Sequence, residues 1–394
     1  AVLLVLCSHA PQWPGELATW TGLGSSVLAT IAIPKHAGWA GVDLFFVLSG
    51  FLIGTLLLEE MRRHHSLQAW RFWLRRGFKI WPAYYVYLAL LLLWIIVAPP
   101  ARYDPFPLWQ PRLERAWTLG WMLPTHLANY YFPFIGLLCA HVWSVSVEEH
   151  FYIGLPIALL AAMVLPPMRR AICARPMPWL LTLAFFSVIG CAVMRYVVWT
   201  TVPFQTITHN KPTHLRIDSL LVGVALAAVV VQLRHRKPWR IEAMQRRRWV
   251  LLPVGIAVAS PAYFVSPAHL FMGIAGYPMI ALGSACLVLW AWLRSVEGQA
   301  SPAKPDLATR FAAATGRWSY CVYLFHMPFT VQPLKSVVLP WATEHFGDVG
   351  LVGALLAYFA ASILLGAVAH AAIERPGLWL RERLIPRRPK PTKA

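Results

Sequence analysis

A chain of 394 residues that is 58% hydrophobic, only 13% charged and carries 20 tryptophans is too apolar for a soluble globule and reads as a polytopic membrane protein. Its formal net charge of +19 gathers at the ends of the apolar runs, which marks membrane topology and argues against nucleic acid as a partner. The six cysteines, Cys7, Cys139, Cys173, Cys191, Cys286 and Cys321, include no close-spaced pair, so neither a metal centre nor a disulfide framework is predicted and packing is their expected job.

In chain order, the sequence opens inside an apolar run, Ala1 to Cys7, with no initiating Met and no basic flank, so a first span truncated at its N-terminus is expected, with His9 closing its outer end. Runs of spanning length follow at 41–58, 80–98, 144–165, 178–199, 214–233, 249–265, 269–293, 318–340 and 348–373, which predicts an all-α bundle of about ten transmembrane helices. Asp43 opens the second span, where Gly50 and Gly54 form a small-xxx-small face for close helix packing. Ser49 beside them lacks the glycine elbow of a lipase-type nucleophile. The longest loop, 99–143, is rich in Pro, Trp and Tyr, with an amphipathic stretch near Leu113 to Leu127; a loop of that size is more often functional than idle. The expected division is an integral membrane domain over 1–380 and a basic, Pro-rich tail over 381–394.

Basic residues fix the orientation. Six lie between Arg62 and Lys79, three between Arg169 and Arg175, seven between Arg234 and Arg248, four between Arg294 and Arg317 and seven from Arg375 onward, whereas the intervening loops hold only Lys35, Arg102, Arg112, Arg115 and Lys211. This alternation predicts both termini in the cytoplasm and an attraction to anionic membrane lipid or a phosphorylated cosubstrate.

Placed on that topology, the polar residues form two levels. His9, Asp43, the pair Glu148 and Glu149, and His214, Arg216 and Asp218 all open or close spans at the outer level. Ionisable groups are costly there, and an imidazole beside carboxylates suits general-base chemistry. At the opposite level, Arg75, Arg76 and Lys79 lead into the third span; Arg76 and Lys79, three apart, share a helix face that can grip phosphate. His326 falls roughly 12 Å into the ninth span at 1.5 Å per residue, and an intramembrane histidine is a functional candidate or a hydrogen-bonded packing group. A transporter or flippase for a lipid-linked glycan would also explain polar groups within a bundle, but no internal repeat supports it.

The chain resembles the membrane-bound acyltransferase 3 family along nearly its whole length. The resemblance rests on Ser8-His9, the run 41–51 (GVDLFFVLSGF), the basic segment 75–82, the run 143–152 (WSVSVEEHFY), the run 214–223 (HLRIDSLLVG), the run 319–328 (SYCVYLFHMP) and Glu374-Arg375-Pro376. It implies transfer of an acyl group, most often acetyl, from cytoplasmic acyl-CoA to a hydroxyl of an envelope carbohydrate or lipid-linked glycan, or of a small molecule such as a macrolide. By the same resemblance His9 is the catalytic base with Glu148 or Asp43 orienting it, and Arg75, Arg76 and Lys79 bind the donor. Glu149, Tyr152, Arg216, Asp218 and His326 are the implied support, with Arg216 or Tyr152 near the oxyanion. Two departures stand out. The family's arginine eleven positions before the histidine would fall ahead of Ala1, and the second arginine of its Arg-x-x-Arg pair is Lys79, which keeps the charge but loses the bidentate fork. The sequence contains no recognisable hydrolase-like domain after the spans, which disfavours an acceptor such as peptidoglycan that needs a second transfer step.

Overall fold

The computed structural model describes residues 1–10, 38–97, 120–130, 139–300 and 306–386. Among them there is no strand, in agreement with an all-helical membrane protein. Six stretches are long and apolar enough to cross a bilayer: Gly38–His64, Trp143–Val164, Pro176–Thr201, Ile217–Arg236, Met272–Val296 and Val349–Leu384. Helices also stand at the other four expected places, Val2–His9, Ala69–Val97, Leu251–Tyr263 and Leu307–His326. The first and third of these have only 8 and 13 residues, short of the ~20 a span needs. Length and composition therefore support six spans among the described residues where the apolar runs predict ten. Most of the loop 99–143 and the end of the basic tail lie outside the described residues.

The contacts divide the chain into two compact units. The first comprises, among the described residues, 1–10, 38–41, 74–97, 120–130, 139–143 and 306–386; the second comprises 42–73 and 144–300.

In the first unit, Val2–His9 is held from three sides. Leu6 and Ala10 join a core with Val322, Met327, Val331, Leu351 and Tyr358, and the Tyr358 hydroxyl donates to the Leu6 carbonyl at 3.1 Å. A Cβ on Gly41 would lie 2.9 Å from the Ala1 carbonyl oxygen, and one on Gly38 would strike the Leu4 carbonyl, so these glycines permit backbone to approach backbone. Val5 and Leu6, four and three positions before His9, are buried, which turns His9 toward the same interior. Leu339–Ala369 is broken at Gly347, whose φ of 55° no ordinary helix residue adopts, and the apolar span begins just beyond, at Val349.

In the second unit the expected small-residue face of Gly41–His64 meets Ile217–Arg236. A Cβ on Gly50 would strike the Leu220 carbonyl, one on Gly223 the Val47 carbonyl, and one on Gly54 would sit 3.0 Å from Ala227 Cβ. Lipid tails are as apolar as the helices, so close van der Waals packing of small residues does the joining here. At the basic end of the same pair, Glu59 accepts from His235 at 2.7 Å and from Arg62 at 3.0 Å. Gly223→Ala is expected to destabilise the protein by about 1–3 kcal/mol through overpacking, whereas Gly190→Ala, with nothing within 4 Å of the added carbon, is expected to be neutral. Thermal unfolding of the detergent-purified variants followed by tryptophan fluorescence measures the contrast, and equal melting temperatures would contradict the close crossing.

Candidate active site

Helix 307–326 carries a proline two residues past its end, Pro328. A proline has no N–H, so the carbonyl four residues earlier, that of Leu324, loses its α-helical donor. His141 supplies a replacement: its Nε2–H donates to Leu324 O at 2.9 Å, while the Tyr323 hydroxyl donates to the His141 carbonyl at 2.6 Å. His326 is fully buried, its ring at right angles to that of His141 with centroids 5.2 Å apart. His326 Nδ1 lies 2.6 Å from the Tyr323 carbonyl, and its Nε2 lies 2.8 Å from Nδ1 of His9, the two rings stacked at 5.0 Å. Three histidines from three separate segments thus meet inside the first unit. Among the described residues no group of His, Cys, Asp and Glu is arranged to hold a metal ion.

The second unit holds a buried charge network. The π turn Met272–Gly276 bonds the Tyr277 N–H to the Met272 carbonyl, and in that register the next donor, for Gly273, would be Pro278, which has none. Arg195 Nε donates to Gly273 O at 2.6 Å instead. The same guanidinium reaches Leu215 O at 2.7 Å and Asp218 at 2.8 Å. Leu215 lies just ahead of Ile217–Arg236, and the Ser219 N–H in that helix's first turn, which has no intrahelical acceptor, is taken by the Asp218 side chain at 3.0 Å. One turn away Arg216 donates to Asp43 Oδ1 at 2.6 Å, joined by the Ser219 hydroxyl at 3.0 Å. The Tyr277 ring faces both guanidiniums, 4.2 Å from Arg216 and 5.5 Å from Arg195. Two arginines and two aspartates, all buried, thus balance in charge, the condition under which ions survive without water.

The remaining predicted residues are distributed as follows. Glu148 and Glu149 are buried on the first turns of Trp143–Val164. Tyr152, on the next turn, shares a 2.7 Å hydrogen bond with Ser49, which ties up the serine that lacked a nucleophile's turn. Arg75 is bound to Glu382 at 2.8 Å and to the Ile385 carbonyl, so its charge is used inside the protein. Arg76 and Lys79 are half-buried on the same helix.

Of the predicted outer layer, Asp43, Arg216 and Asp218 do come together. In the first unit His9 lies against His326, and in the second Asp43 Oδ1 accepts from Arg216 and Ser219, the cation and donors a desolvated carboxylate needs. Two residues escaped the sequence reading. Arg195 was legible in principle, being the one charge inside the apolar run 178–199. His141 lies in the long loop, and its contact with Leu324, 183 positions away, left no local signal.

The acyltransferase 3 profile, described as an acyltransferase domain, matches residues 1–371. Among curated relatives, the peptidoglycan O-acetyltransferase OatA of Listeria monocytogenes is 25% identical over 80% of this chain and 50% of its own length. The putative peptidoglycan O-acetyltransferase YrhL of Bacillus subtilis is 27% identical over 80% of this chain and 49% of its own. The O-acetyltransferase OatA of Staphylococcus aureus is 24% identical over 75% and 46%. The chain therefore spans about half the length of the curated relatives it matches. No solved structure matches.

Arg195→Leu leaves Asp218 buried without its cation and is expected to destabilise the protein by about 3–5 kcal/mol. Arg195→Leu combined with Asp218→Leu is expected to restore part of that loss. Thermal unfolding of the purified single and double variants checks both statements.

Proposed function

The chain belongs to the acyltransferase 3 family, and on that premise we propose that it is a membrane O-acyltransferase moving an acetyl or related acyl group from cytoplasmic acyl-CoA to a hydroxyl of a cell-envelope carbohydrate. The names of the relatives bring peptidoglycan in among the acceptors, so the expectation against it is not kept; lipid-linked glycan is the other member of the class. The observation that carries the reading is the contact between His9 and His326 at 2.8 Å, which supports an imidazole held in one orientation at the end of Val2–His9.

In this reading His9 takes the proton of the acceptor hydroxyl as its oxygen attacks the thioester carbonyl. The tetrahedral intermediate then collapses, the carbon–sulfur bond breaks, and the leaving thiolate recovers a proton from the His9 imidazolium. Donor and acceptor are held together by the protein, which lowers the entropic part of the barrier. Arg76 and Lys79, three apart on one face of Ala69–Val97, are the proposed phosphate contacts of the donor. Asp43, Arg216 and Asp218 act in this reading as a buried brace that fixes the start of Ile217–Arg236.

The test is transfer of radiolabel from acetyl-CoA to peptidoglycan glycan strands or to lipid-linked precursor by the purified protein in nanodiscs. His9→Ala is expected to lower transfer by about 100-fold or more, the usual share of a general base; unchanged turnover would remove His9 from the reaction. For the donor contacts, Lys79→Arg is expected to keep or lower the KM for acetyl-CoA and Lys79→Ala to raise it. A KM that moves equally in both variants would argue against a phosphate contact.

A further inference from the structure

The hydrogen bonds around His326 assign a proton position to His9, and that assignment goes beyond the general-base role on which it rests. A backbone carbonyl only accepts, so the 2.6 Å contact between His326 Nδ1 and Tyr323 O requires the proton on Nδ1 of His326. With the ring uncharged, its Nε2 then carries a lone pair. That lone pair faces Nδ1 of His9 at 2.8 Å, so His9 Nδ1 must be the donor, and with His9 also uncharged its own lone pair is on Nε2. We propose that His326 is the positioning residue that locks His9 in the Nδ1–H tautomer, making Nε2 its basic nitrogen, through the chain Tyr323 carbonyl, His326, His9.

Free imidazole side chains favour the opposite tautomer, with the proton on Nε2, so the lock has a definite chemical consequence. In a Ser-His-Asp triad a carboxylate holds the histidine in this way. Here the holder is a neutral ring whose own tautomer is set by a peptide carbonyl. When His9 Nε2 takes the acceptor proton, the new positive charge on His9 can pass as a proton from its Nδ1 to His326 Nε2. The His326 cation then keeps its Nδ1–H on the Tyr323 carbonyl, and the reverse transfer returns the proton for the leaving thiolate. No atom is gained or lost over the cycle. His141 steadies the arrangement from the other side: its Nε2–H is fixed on Leu324 O at 2.9 Å, and its ring stands edge-on to His326. The geometry also explains why the segment reads Tyr323-Leu324-Phe325-His326-Met327-Pro328: the proline opens the Leu324 carbonyl for His141, and His326 reaches back three residues to the carbonyl before it.

Two measurements on the full chain in nanodiscs decide the matter. The first needs no acceptor: magic-angle-spinning ¹⁵N NMR of histidine-labelled protein, with His9 assigned by difference from His9→Gln. The expected result is a protonated Nδ1 and bare Nε2 on His9, changing toward the Nε2–H form in His326→Leu. A His9 ring already protonated on Nε2 in the unaltered protein would overturn the proposal. The second is acetyl transfer by variants chosen for what they can still accept. In His326→Gln the amide oxygen reaches the position of Nε2 and accepts from His9, whereas His326→Asn is too short and His326→Leu has no acceptor. Transfer is expected to fall about 100-fold in the Asn and Leu variants, with the Gln variant at least ten times more active than either and all three unfolding near the original temperature. Equal activity in the Leu variant and the unaltered protein would sink the positioning role. Were His9→Ala to remain active, the general-base reading itself would fall, while the NMR result would still report on the tautomer.

Discussion

Inside a bilayer a peptide carbonyl that loses its helical donor has no water to turn to, and each unsatisfied group costs several kcal/mol. This chain is rich in proline, with 32 in 394 residues, and its spans carry the consequences. Pro156 removes the helical donor for Tyr152 O, and the Trp73 indole donates there at 3.0 Å. Pro278 has no N–H for Gly273 O, and Arg195 fills the gap. Pro328 does the same to Leu324 O, and His141 answers. In each case the replacement donor is a large side chain from another helix or loop, so satisfying the backbone also joins distant segments.

That requirement and the chemistry share residues. His141 is drawn in by an orphaned carbonyl and then walls the ring of His326. Arg195, recruited by Gly273 O, also neutralises Asp218, which in turn holds the Ser219 N–H, while the Ser219 hydroxyl turns to Asp43. In the second unit two arginines and two aspartates pair as buried ions. In the first, the groups around His326 are imidazole rings and backbone carbonyls, while the buried carboxylate of Glu374 lies 2.9 Å from His370.

The basic end shows a similar sorting. Arg75 is consumed by Glu382 and the Ile385 carbonyl, fastening Arg375–Leu384 to the start of the long helix Ala69–Val97. Gly377 approaches the Phe78 carbonyl there, at 2.8 Å for an added Cβ. Arg76 and Lys79 follow one and four positions on along the same braced helix.

By itself the sequence determined the membrane class, the helical content, the basic ends and the family, because these follow from composition, run length and ordered motifs. It also marked Gly50 and Gly54 as a packing face and His9, Asp43, Glu148, Arg216 and His326 as candidates, since ionisable groups in apolar runs are conspicuous. What it left open was pairing. Helical period fixes the face on which a residue sits, but which helix lies opposite is a property of the whole bundle. His9 and His326 are 317 positions apart, and Asp43 and Arg216 are 173. Only the tertiary structure decided that the histidines meet each other while the aspartate meets the arginine. The physical reason is that each buried group takes the partner that satisfies it most completely: a cation for a carboxylate, and a fixed carbonyl and a second ring for an imidazole.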